Sequence, residues 1–443
     1  MRETLQEDFL RIARPHMKKL DRGPTEYTES IYKRWFKQLQ QADTVLHRSE
    51  EAFIRSTMPE ITVGKLPQPT SFKDGQDSLA FLPKHVMKFM TDPAKATHWL
   101  KYTAKIGGRT ICIHIVHYPN PDQEHGQKQT HTPESKGVSL HWLKTYRAHV
   151  YKMYAWFHFI APYVKTCDCS KELNVYLYFT PFKKEMPSGG SGDRNAVIGA
   201  MHSNTGFTTS CGANLSKNGG KTHTEIVIYR YEEFFKVLLH ETMHNLELDF
   251  GYGTDDSNVS HVFPGIRHDI ILSETYAETW ARLLNIAFYC YYDILGSSGS
   301  YTAYRTAVNR CMAAERIFSL YQANRMLGHM GLSLHQVIIS KDAATASLVS
   351  SKYHEDTNAF AYYVLCGIAV FEADLFLQWC SDTNRHNLIR ANAGNAGAAA
   401  LLMFIELVIQ SESESESDST LSEAVDIVSR MPRISQTARM TLW

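Results

Sequence analysis

Val237–Phe250 reads VLLHETMHNLELDF, and its centre, His240-Glu241-Thr242-Met243-His244, has the pattern H-E-x-x-H. Four residues is just over one helical turn, so both imidazoles leave one face of a helix and can bind a single Zn²⁺ at about 2.0–2.1 Å. Glu241 is rotated about 100° from His240, which places it beside such an ion rather than on it, where a carboxylate can take a proton from water. The spacing therefore predicts His240 and His244 as metal ligands and Glu241 as a general base. Two surface histidines on an amphipathic helix would share it. The flanks argue otherwise: Val237, Leu238 and Leu239 on one side and Leu246, Leu248 and Phe250 on the other predict a helix buried around much of its circumference, where imidazoles need partners. Gly251 and Gly253 are the expected helix stop.

A catalytic zinc ordinarily takes three protein ligands and keeps one position for water. The next strongly helical stretch, Leu272–Trp280 (LSETYAETW), carries Glu274 and Glu278 at i and i+4 on one face. Here the sequence resembles the gluzincins, the thermolysin-like and zinc-aminopeptidase group of zincins. Their third ligand sits on a second helix in the motif Asn-Glu-Gly-Phe-Ala-Glu, which Ser273–Glu278 matches at Glu274, Ala277 and Glu278. The resemblance implies Glu274 as third zinc ligand and Glu278 as a carboxylate orienting a metal-bound histidine. It further implies zinc-dependent hydrolysis of peptide bonds, by default as an endopeptidase acting on a peptide or protein, and an α+β, zincin-like fold. In that fold the motif helix follows a mixed sheet and a mainly helical C-terminal half comes after. Between His244 and Glu274 lie 29 residues, more than in that family, so Gly251–Asp269 is expected to loop out. His261 and His268 fall in this stretch and are the competing ligands of a metzincin-like three-histidine site. That pattern wants a Gly and a third His soon after the second His, where Glu247 and Phe250 stand. Tyr229–Leu246 (YRYEEFFKVLLHETMHNL) is also similar to uncharacterised H-E-x-x-H proteins encoded by large DNA viruses, and virion association is the alternative to a cytoplasmic setting if the chain is viral.

Outward from the motif, Thr110–Tyr118 (TICIHIVHY), Asn174–Thr180 (NVYLYFT) and Thr224–Arg230 (TEIVIYR) are rich in β-branched and aromatic residues and predict strands of one sheet. Leu140–Ile160 predicts a long helix covering it. The zincin resemblance further implies that Thr224–Arg230, directly before the motif helix, is an edge strand that aligns an extended substrate. The division expected is a helical lead-in at 1–70 ending in a loop over Pro59–Pro69, an α/β segment at 71–250, a helical segment at 251–410, a Ser/Glu-rich linker at 411–420 and a terminal segment at 421–443. In Ser351–Cys366 (SKYHEDTNAFAYYVLC), Tyr353, His354, Tyr362 and Tyr363 are candidate donors to a developing oxyanion, with Tyr362 the one selected.

Composition narrows the partners. The 443 residues are 44% apolar and 21% charged, as in ordinary globular chains. With 46 basic and 46 acidic residues there is no net field to gather nucleic acid or anionic membrane, and neither is expected as a partner. The first residues lack an unbroken apolar core of a secretory signal, and Ala398–Ile409 is about half of the ~20 residues a membrane span needs. Eight scattered cysteines suit reduced thiols, and an intracellular setting is expected. Cys167 and Cys169 form too sparse a pair for a metal site, and the glycines of Ser188–Gly192 predict turns. Two rival readings use the same residues: a zinc-bearing structural or binding protein, and a hydrolase of a non-peptide amide or ester.

Overall fold

The three stretches predicted as strands lie side by side in the centre of a six-stranded mixed sheet. In the computed structural model, which describes residues 2–20, 23–48, 59–63, 67–72, 82–92, 94–95, 98–118, 138–164, 171–187, 197–209, 223–251, 259–384, 387–414 and 420–443, the chain opens with α1 (Arg2–Leu20) and α2 (Glu26–Arg48). Then come β1 (Glu60–Val63), α3 (Lys84–Thr91), β2 (His98–Ile106), β3 (Arg109–His117), α4 (Leu140–Ile160) and β4 (Glu172–Thr180). Short strands β5 (Ile198–Gly199) and β6 (Gly206–Thr208) precede β7 (His223–Arg230) and α5 (Phe234–Asn245). The remainder is mainly helical: α6 (Leu272–Phe288), α7 (Tyr301–His329), α8 (Leu334–Ile338), α9 (Ala343–Lys352), the two-residue β8 (Glu355–Asp356), a π-helical turn at Phe360–Leu365, α10 (Cys366–Phe371), α11 (Ala373–Thr383), α12 (Asn395–Glu414) and α13 (Thr420–Arg430). The fold class is α+β. Cys167, Cys169, Ser188–Gly192 and Gly253 lie outside the described residues.

The chain divides into two compact units. One comprises Lys37–Lys183 and Asn204–Leu248 and holds the large sheet in the order β1-β2-β3-β4-β7-β6. Strands β3, β4 and β7 are parallel, and α4 makes the crossover from β3 to β4 that parallel neighbours require. Side chains alternate across the pleat: Val116, Tyr176 and Tyr178 pack with Val86 and Met90 of α3, while His117 and Phe179 meet Tyr146 of α4 on the opposite face.

Three differences from the sequence reading have local causes. β2 was not expected, because its burial alternates and Lys101 and Lys105 interrupt the apolar pattern. It is tied to β3 by a two-residue turn in which Gly107 and Gly108 both take positive φ (56° and 80°), the geometry a tight hairpin prefers. β1 forms within the stretch expected to be a loop, as a four-residue outer strand on β2. Contrary to expectation, β7 is not an edge strand: it lies between β4 and β6 with seven of its eight residues buried, and the edge position belongs to β6. Its near-continuous apolar run is the signature of a strand covered on both faces.

The other unit comprises Met1–Phe36, Lys184–Ser203 and Asp249–Trp443. Its core is α6, buried along its whole length except Glu274, with α7 and α10. Trp35 stands edge-on to Trp280, and Phe36 packs on Tyr291 and Tyr304. Strands β5 and β8 pair in parallel. Helix α12 runs to Glu414, four residues into the stretch expected as linker, and 415–419 lie outside the described residues. Among the described residues no single helix is long and apolar enough to cross a membrane. The bent pair Phe360–Phe371 and Ala373–Thr383 reaches that length only together, across a 93° bend.

Two buried histidines make the sheet unit sensitive to acid. His114 Nδ1 accepts from Trp99 Nε1 at 3.2 Å, so its Nε2–H donates to Asn174 Oδ1 at 3.0 Å and the neutral ring is satisfied on both sides. His117 Nδ1 lies 2.7 Å from the Tyr146 hydroxyl. Burial is the main cause that holds both well below the ordinary histidine range, at about 4. The unfolded chain therefore takes up protons first as pH falls, and stability present above about pH 6.5 is lost progressively toward pH 4. Between pH 7.5 and pH 5 each histidine should cost on the order of 1–2 kcal/mol. Urea unfolding at the two pH values measures this, and His114→Phe should flatten the dependence.

Candidate metal centre

Helix α5 carries the motif and is buried from Phe235 to Met243 and again at Asn245, with His240 at 6% and Glu241 at 7% exposure. What makes so polar a helix tolerable inside the unit is side-chain anchoring by residues the sequence reading passed over. Thr242 Oγ1 donates to Leu238 O at 2.6 Å and accepts from Trp156 Nε1 of α4 at 3.2 Å. Asn245 Nδ2 donates to Thr208 Oγ1 and Thr209 O at 3.0 and 3.1 Å, and its Oδ1 accepts from Thr224 Oγ1 at 3.1 Å. One asparagine thus ties the end of the motif helix to both β6 and β7.

The helix ends earlier than expected. Leu246 is its C-cap, Glu247 takes the left-handed conformation (φ 51°), Glu247 N donates to His244 O at 3.2 Å, and Leu248 N donates to Met243 O at 2.8 Å. This pair of bonds is a Schellman closure made without glycine. Gly251, at φ 89°, belongs to the turn beyond it.

The imidazoles of His240 and His244 converge, with Nε2 to Nε2 at 3.1 Å. Two ligand nitrogens on one tetrahedral zinc are about 3.3–3.4 Å apart, so the pair is spaced for a shared ion. One ligand atom from each of His240, His244 and Glu274 lies within 4.8 Å of the other two, and among the described residues this is the group so placed. Two imidazole nitrogens and a carboxylate oxygen form a donor set that zinc accepts. His261 and His268 are not part of it. His261 Nε2 faces Glu406 Oε2 at 3.8 Å, and the His268 ring packs near Tyr353 and His354.

Glu274 stands in the first turn of α6, half-buried, and its Oε1 accepts from Asn358 Nδ2 at 3.4 Å. Glu278, one turn on and 1% exposed, accepts on Oε1 from Arg282 Nε at 3.0 Å. Arg282, itself fully buried, also donates to Ser319 Oγ and to Tyr362 O. Tyr362 is half-buried on the π-helical turn, and its backbone N–H donates to Asn358 O at 3.0 Å. Tyr363 is committed elsewhere, its hydroxyl donating to Ala438 O at 2.6 Å, and Tyr353 is fully buried. No match to this chain is found among protein-family models, curated proteins or solved structures.

Gly206 of β6 bears directly on Glu241. A Cβ on Gly206 would fall 2.8 Å from Val227 O, 3.0 Å from Val237 Cγ1 and 3.4 Å from Glu241 Oε1. A backbone oxygen in the middle of a sheet cannot retreat, so Gly206→Ala should cost about 1–3 kcal/mol. The lowered urea midpoint checks it; an unchanged midpoint would mean that β6 shifts freely.

Proposed function

We propose that this chain is a zinc-dependent hydrolase of peptide bonds, an endopeptidase of the zincin type resembling the gluzincins, with His240, His244 and Glu274 as zinc ligands and Glu241 as general base. The observation that carries this reading is the convergence of two imidazole nitrogens and one carboxylate oxygen within 4.8 Å, with a further carboxylate on the residue next to a ligand. Zinc bound there supplies a Lewis acid for a carbonyl oxygen and acidifies water near neutral pH.

The chain's own residues would divide the remaining work. Glu241, held on a helix whose side chains are anchored at Thr242 and Asn245, takes the proton of the attacking water and returns it to the leaving amine. Tyr362, on the π-helical turn that follows Asn358, is the proposed donor to the developing oxyanion. Of the two carboxylates on α6, Glu274 is the proposed ligand, and Glu278, which also accepts from Arg282, is the one proposed to orient a metal-bound histidine. A zinc held for structure alone ordinarily has four protein ligands and needs no base, and the three-ligand set with Glu241 alongside favours hydrolysis over a binding or virion-structural role. The partner is a peptide or protein substrate. Cys112, Cys290, Cys311, Cys366 and Cys380 are buried free thiols, which supports an intracellular setting.

The test combines elemental mass spectrometry with cleavage of a mixed peptide library. Wild type should carry about one zinc per chain, and His240→Ala and Glu274→Ala should lose it. Glu241→Gln should keep the zinc and lose cleavage by about 10²- to 10⁴-fold. A metal-free wild type contradicts the metal site, and undiminished cleavage by Glu241→Gln contradicts the assigned base.

A further inference from the structure

Helix α6 is fastened to the stretch around the π-helical turn at three places. Beside its first turn Asn358 Nδ2 donates to Glu274 Oε1 at 3.4 Å, and one residue on Thr275 Oγ1 donates to Ala361 O at 3.4 Å. Two turns later Arg282 Nη2 donates to Tyr362 O at 2.7 Å. The last is the strong attachment. Arg282 is fully buried and its guanidinium also binds Glu278 Oε1 and Ser319 Oγ, each at 3.0 Å, so releasing it would strand a charge inside the unit. A π-helical turn shifts its backbone bonds by one residue relative to an α-helix and is found often at functional sites. Here Ala361 and Tyr362 use their carbonyl oxygens as acceptors for α6.

Asn358 stands just before this turn and is itself held firmly. Its carbonyl accepts from Tyr362 N at 3.0 Å, and two residues on, Phe360 N donates to Glu355 Oε2 at 2.7 Å. Glu355 belongs to β8, which is paired with β5. The Asn358 side chain therefore projects from a backbone held by these two bonds.

We infer that Asn358 is a positioning residue for the metal centre: its amide binds one oxygen of Glu274 and fixes the plane of the carboxylate from which the ion takes its third ligand atom. This rests on the metal reading above. An amide suits the role because it donates a hydrogen bond without bringing a charge that would compete with the ion for the carboxylate. At 3.4 Å the bond is at the long end of the range, so it adds little to the stability of the fold. Alanine would leave the carboxylate free to rotate. Aspartate, of the same shape, would replace the donor with an acceptor and set two negative charges together.

The test is the apparent zinc dissociation constant of the full chain, read by competition with a fluorescent chelator, for wild type, Asn358→Ala and Asn358→Asp. The melting temperature of each zinc-free protein is recorded alongside. Loss of an outer hydrogen-bond partner of a ligand typically weakens metal binding about 10- to 100-fold, and both variants should show this. A residue of structural importance only would lower the zinc-free melting temperature and leave the dissociation constant in place. Should Asn358→Ala fail to fold, the isosteric Asn358→Asp carries the comparison. Wild-type zinc binding with affinity within twofold in the folded variants overturns this inference alone. Failure of the wild type to bind zinc overturns the metal reading and this inference with it.

Discussion

Burying His240 and Glu241 on one helix demands that every polar group taken inside be met, because an unpartnered one costs on the order of 1–3 kcal/mol. In the sheet unit Trp156, Thr208 and Thr224 answer that demand for the side chains of Thr242 and Asn245, which flank the motif on α5. These contacts fix both the rotation of the helix about its axis and its distance from β6 and β7. The approach is close enough that position 206 has room only for glycine. The convergence of the two imidazole nitrogens follows from helical spacing, and their placement follows from the anchoring.

The mainly helical unit meets the same demand differently. Helix α6 carries a second carboxylate, Glu278, at 1% exposure, and the charge is matched by an equally buried arginine. A pair like this adds little net stability over apolar packing, yet removing one member is costly. The guanidinium goes on to hold the carbonyl of Tyr362, so the carboxylate, the arginine and the π-helical turn form one connected brace. Glu278 is thus engaged by a cation along its own helix, and Glu274 stands half-buried in the first turn.

Much of this was legible in sequence where the signal is local. The i, i+4 histidines, Glu274 and Glu278 are periodic features of single helices, and the three central strands announce themselves through β-branched runs. Leu140–Ile160 coincides with α4 because its aromatic face repeats at helical spacing. What stayed hidden is non-local. Asn245 and Thr242 resemble ordinary helix polar residues until β6 and α4 are set against them. Asn358 is 84 residues from the carboxylate it touches. The zincin resemblance implies an edge position for Thr224–Arg230, but that position belongs to β6, whose three residues are too short to show a pattern in sequence. The early helix stop was missed because Glu247, not a glycine, adopts the left-handed conformation. Two signals could have been used: Gly107-Gly108 between alternating stretches marks a hairpin, and a lone glycine in the strand-like Gly206–Thr208 marks a close backbone approach.

The central claim is that His240, His244 and Glu274 hold one ion together. X-ray absorption spectroscopy of the zinc-loaded protein addresses it most directly. The account predicts a first shell of nitrogen and oxygen at about 2.0–2.1 Å, outer-shell scattering from two imidazoles, and loss of one imidazole in His244→Ala. A first shell containing sulfur at about 2.3 Å, or a spectrum unchanged in His244→Ala and Glu274→Ala, would contradict it.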